Sequence, residues 1–207
     1  MEQIGLAQLA GAPLQEAEVY VARAGGLVRL RELTGQAVFM ASRLALAPVA
    51  GTEDLQRVDV AKREALRILF ALVDPALDAD LTKRAAQVQT ILSLGYADQL
   101  LLSRVIDLLS EGTLTEQQRE LLKQPLPPGE LLRLLGTSLE TTEEYLQTRG
   151  EDDLRDILAV ALCGYGGALT GEMSMGLVRL LAAARREAEA RQARLTAEAL
   201  AGLIASP

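Results

Sequence analysis

The sequence predicts an all-α protein, a helical bundle with a small N-terminal β-hairpin. Three observations lead there. Hydrophobic residues make up 49% of the 207 residues while aromatics make up only 3% and Trp is absent, so the core must be built from Leu, Ala, Val and Ile. Apolar residues recur at spacings of three and four along most of the chain, the period of a helix with one buried face. A single short stretch breaks that period near the N-terminus: Val28 and Leu30 alternate with Arg29 and Arg31 just after Gly25-Gly26, which is the period of a strand.

In chain order, residues 3–10 suggest a short helix that Pro13 ends. Val19-Tyr20-Val21, Gly25-Gly26 and residues 27–31 form the hairpin, since glycine takes a positive φ without penalty. The competing reading is one helix over residues 14–46 interrupted by the glycines. A helix from Gln36 carries Val38, Phe39, Leu44 and Leu46 and stops at Pro48 and Gly51. Thr52-Glu53-Asp54 suits the start of the next helix, with a capping hydroxyl and first-turn acids. Its inward positions are Leu55, Val58, Leu66, Leu69, Phe70 and Val73, and Asp74-Pro75 stops it. One helix is then expected over residues 78–94, with Leu81, Val88, Ile91 and Leu92 inward and Gly95 as its break. A strongly apolar helix covers residues 100–109, with Gly112 placed to close it. Thr113 and Thr115 are alternative caps for a short helix, and Thr113 with Glu116 has the spacing of a capping box.

Pro125, Pro127, Pro128 and Gly129 make the clearest linker. They divide the chain into a hairpin-plus-helical domain, residues 1–124, and a C-terminal helical region, residues 125–207. Helices are expected there from Glu130, from about Thr137 (with Glu140 at capping-box spacing), from Glu151, and from Glu172 to Ile204.

Charge and residue inventory narrow the function. The net charge is −7 and both halves are acidic, which repels phosphate backbones and disfavours nucleic-acid binding. Histidine is absent and Cys163 is the single cysteine. A His-ligated metal, a Cys-cluster zinc, an intramolecular disulfide and a His-based catalytic pair are therefore excluded. No signal peptide is expected, and no apolar run approaches the ~20 residues that span a bilayer, so a cytoplasmic, non-membrane protein is the expectation. The acidic stretch with Glu140, Glu143, Glu144, Glu151, Asp152, Asp153 and Asp156 reads as a solvated face rather than a cation site. Gly164, Gly166, Gly167 and Gly171 read as a turn rather than a phosphate cradle, because a helix precedes them and no lysine follows. No cofactor and no catalytic residue is expected.

The last helix is more informative. Met173, Met175, Leu177, Val178, Leu180 and Leu181 crowd its start, and Arg179, Arg185, Arg186, Arg191 and Arg194 give it positive charge that can pair with the acids of residues 140–156. Its two readings are an ordinary amphipathic helix docked on its own domain and a helix that binds a partner or a second copy.

Residues 18–35, with Val28-Arg29-Leu30-Arg31-Glu32-Leu33-Thr34 at their end, lead into a helix and then into Leu72-Val73-Asp74-Pro75-Ala76-Leu77. A final apolar pair follows in Ile91-Leu92-Ser93-Leu94 and residues 100–109. Over residues 18–112 this order resembles the tail assembly chaperones of long-tailed bacteriophages, while residues 113–207 match nothing in that pattern. Some family members are made in a short form and, by frameshifting, an extended one. The resemblance implies binding without chemistry. Such a chaperone coats the helical tape-measure protein, brings tail-tube subunits to it in the host cytoplasm, and is absent from the mature virion. The work needs an exposed apolar surface, and the candidate partner-binding residues are Leu100, Leu101, Leu102, Val105, Leu131, Leu132, Leu135, Met173, Met175, Leu177 and Leu181. Two other functions stay open. One is a helical adaptor that forms homo-oligomers through residues 172–204. The other is a small-molecule-binding domain with Cys163, Tyr165 and Met173 near a pocket.

Overall fold

The computed structural model describes residues 13–48, 56–160 and 173–204. The expected helix at residues 3–10, the expected helix start at residues 52–54, and the glycines and Cys163 near residue 165 lie outside them. The described chain is mostly helical with a small antiparallel hairpin near its start.

Strands β1 (Glu16–Val21) and β2 (Gly26–Arg31) pair with Val19 opposite Val28 and Tyr20 opposite Leu27. Gly25 sits at φ 65°, the left-handed turn residue that a tight reversal needs. Ala17, Val19, Val21 and Leu30 are buried, while Arg29 stays outside beside Glu16 and Glu18. That alternation keeps one face of the ribbon in the core.

Helix α1 (Gly35–Leu44) begins where the Thr34 hydroxyl accepts from the Ala37 N–H at 3.2 Å. The sequence pattern carries this helix to Leu46 and starts the next one near Thr52. Instead Leu46–Pro48 is a strand, β3, paired with β4 (Gln56–Val58). Helix α2 (Val60–Ala71) starts at an Asp59 cap whose carboxylate accepts from the Lys62 N–H. Val58 therefore belongs to a strand. The periodic count misleads here because β4 contributes only one apolar residue, and a single residue three places from another fits helical spacing whatever its conformation.

The single helix expected over residues 78–94 is two short ones, α3 (Leu81–Ala85) and α4 (Val88–Leu92). Asp80 caps α3 through the Thr82 N–H. The buried Arg84 guanidinium donates to the carbonyls of Asp78, Phe70 and Leu72, so one side chain satisfies the loop that leaves α2.

Helix α5 (Tyr96–Glu111) ends at Gly112, φ 65°, as its sequence position foretells. Helix α6 (Glu116–Leu122) opens with a capping box formed by Thr115 and Gln118, two residues beyond the Thr113–Glu116 pair. Pro127 and Pro128 start α7 (Pro128–Leu134). Helix α8 (Leu139–Val160) runs as one element through Gly150, where two were expected, and Ser138 and Thr141 cap it reciprocally. Helix α9 spans Met175–Ile204, and Ser174 caps it through the Leu177 N–H.

The division at residues 124/125 does not separate two cores. Buried side chains of the hairpin, of α1, α2 and α4 to α7, and of Ile157, Met175, Val178 and Ala182 form one apolar cluster. Backbone bonds cross the expected boundary as well: Gly35 N–H donates to the Met173 carbonyl at 2.9 Å and Met175 N–H to the Leu33 carbonyl at 2.8 Å. The Pro-rich linker is a turn on the surface of a shared core.

Helix α9 approaches α5 very closely at its first turn. A Cβ on Gly176 would lie 2.2 Å from the Ser110 carbonyl oxygen and 2.9 Å from Glu32 Oε1. Gly176→Ala should therefore cost about 1–3 kcal/mol, the penalty of overpacking a fixed backbone contact. Gly26→Ala, whose added Cβ meets nothing within 4 Å, should stay within about 0.5 kcal/mol of wild type. Urea unfolding of both variants checks the contrast.

Candidate partner-binding surface

Most of the residues nominated from sequence are not on a surface. Leu100, Leu101, Leu102, Val105, Leu131, Leu132, Leu135, Met173 and Met175 are all buried in the core, and Leu177 and Leu181 are half-buried against it. No side of α5 offers these leucines to solvent. Helix α5 is packed by the hairpin, α2, α7, α8 and α9, and a helix that is apolar on several sides belongs at the centre of such an arrangement. Met173 is fully buried in the core, and Cys163 and Tyr165 lie outside the described residues.

What α5 meets at its centre is charged. Arg67 of α2 donates to Glu64 Oε2 at 2.7 Å and to Asp107 Oδ1 at 2.8 Å. Arg179 of α9 reaches the same Asp107 oxygen at 3.0 Å and grips both oxygens of Asp153 on α8 at 2.9 and 3.0 Å. Arg63 donates to Glu64 at 3.0 Å. Three guanidinium groups thus neutralise three carboxylates inside the fold, tying α2, α5, α8 and α9 together. Nearer solvent, Arg186 pairs with Asp156. The basic last helix does meet the acidic stretch, as its sequence suggests.

Burial alone would raise the Asp107 pKa, but Arg67 and Arg179 hold it below the ordinary carboxylate value. Burial opposes the charge on Arg67 as well, and Asp107, Glu64 and Asp153 outweigh it, so its pKa is raised. Asp107 is completely buried, so this cluster is a structural knot rather than a reactive site. Asp98, at the start of α5, has no such partner for its buried Oδ1, and burial pushes its pKa up despite Arg23. Among the described residues no group of three His, Cys, Asp or Glu could hold a metal ion. No helix there is long and apolar enough to cross a membrane.

Two open hollows lie along α9. A groove of about 650 Å³ runs between residues 13–15, the end of α5 and the start of α9, lined by Pro13, Gln15, Ser110, Ser174, Leu177 and Leu180. Glu32 closes one side, its carboxylate accepting from Gly176 N–H at 3.2 Å and Gln15 N–H at 3.5 Å. Glu111 stands at the rim and accepts from the Tyr145 hydroxyl at 2.6 Å. Leu180 is 65% exposed, the largest value among the exposed large apolar residues. Farther along, a second hollow of about 310 Å³ lies over Ala184 and Ala188 between Glu187, Arg191 and Gln192. Leu180, Ala184, Ala188 and Arg191 are three or four apart, so both hollows lie on one side of the helix.

Sequence reading placed Leu180 among the apolar residues of α9 but did not single it out. The buried phase of the helix, which the structure supplies, accounts for its exposure. Val178 and Ala182 are buried, and a residue two places from each sits roughly 200° around the helix from them. Leu180 must then face away from the core. Glu32 and Gly176 carried no signal in the sequence, since their roles depend on a contact 144 residues apart.

No protein-family model matches the chain, and no curated protein or solved structure is significantly similar to it.

Removing one partner of the buried knot should be costly. Asp107→Ala leaves Arg67 and Arg179 short of a counter-charge and should destabilise by about 3–5 kcal/mol in urea unfolding. The acid limb gives a separate check. A carboxyl whose folded pKa is depressed contributes its stability above the ordinary value of 3.8 and loses it as the pH falls through the lower folded value. The wild-type unfolding free energy should therefore fall below about pH 4, and that slope should be shallower in Asp107→Asn.

Proposed function

We propose that this protein is a tail assembly chaperone of a long-tailed bacteriophage, a binder without catalytic chemistry that covers an apolar helix of the tape-measure protein. The observation that carries this reading is the open side of α9, where Leu177 and Leu180 border a groove and a second hollow lies over Ala184 and Ala188. An amphipathic helix recognised by its apolar face needs a long shallow surface with apolar anchors and a polar rim. Small residues such as alanine let a second helix come close. The surface lies on α9 and not on α5, whose leucines are buried, nor on Leu131 and Leu132 of α7, which serve the core.

The sequence resemblance supports the more specific part of the proposal, and its two short motifs are neighbours in space. Leu30 of the hairpin bridges to Leu72, and Val73 N–H donates to the Arg29 carbonyl at 2.9 Å. In this reading the protein acts in the host cytoplasm, presents tail-tube subunits to the tape measure and leaves before the virion matures.

Co-expression tests it. The full-length chain should raise the soluble yield of a helical tape-measure fragment, and Leu180→Glu should abolish that gain. Because Leu180 is exposed, the variant should keep the wild-type circular dichroism spectrum and melt within about 2 °C of wild type. A fragment that stays equally insoluble with and without the protein sinks the proposal. A stable homo-oligomer by light scattering that ignores the fragment would favour a self-associating adaptor instead.

A further inference from the structure

We draw no further inference here: the strongest candidate, the solvent-facing stretch of α9 from Glu189 to Arg194, carries none because nothing in the structure shows what covers it.

Discussion

A buried charge must be neutralised where it sits, and that requirement organises this fold. Asp107 lies 40 residues from Arg67 and 72 from Arg179, so no local segment can meet it. Only when α2, α5 and α9 are assembled do the two guanidinium groups converge on one carboxylate, and Asp153 then brings in α8. The knot also fixes the register of α9. Moving that helix by one residue would rotate Arg179 by roughly 100° and strip counter-charge from two buried acids. Apolar packing alone is far more permissive, since a leucine surface accepts several neighbouring registers at modest cost. The Gly176 contact acts in the same direction, because α9 can lie against the Ser110 carbonyl only where a residue has no side chain.

This constraint explains which parts of the structure were legible in the sequence. Local signals read well. The Gly25-Gly26 hairpin, the Gly112 helix end and Thr115, one of the two candidate caps of α6, each depend on a few adjacent residues, and their chemistry is visible in a short window. Features decided by distant partners did not read. The short strand β3 exists because β4 pairs with it, and α8 runs through Gly150 where sequence reading placed a break. The proline-rich turn at residues 125–129 looks like a boundary between domains, yet packing across it is continuous. Composition cannot distinguish a linker from a surface turn, because both need residues that leave a helix.

The candidate surface shows the same division. Runs such as Leu100-Leu101-Leu102 and Leu131-Leu132 attract attention as spare apolar material, but leucine density in a chain with 3% aromatics measures how the core is filled. With few large rings available, the interior takes more leucines, and several sides of one helix must be apolar to supply it. The informative position is a leucine out of phase with its buried neighbours, and that is Leu180. For the buried arginines, sequence position gives little warning, since Arg67 and Arg179 look like the exposed arginines around them.

The outer half of α9 has a consequence for timing. Residues 186–194 are exposed along the whole stretch, with ion pairs from Arg185 to Glu189 and from Glu187 to Arg191 along the helix. Such pairs and a high alanine content favour a helix without help from neighbours. A visiting chain would find this rod already formed and would open nothing in the interior to reach it. Encounter would then be limited by orientation rather than by rearrangement. Anything that left this face would leave the interior intact.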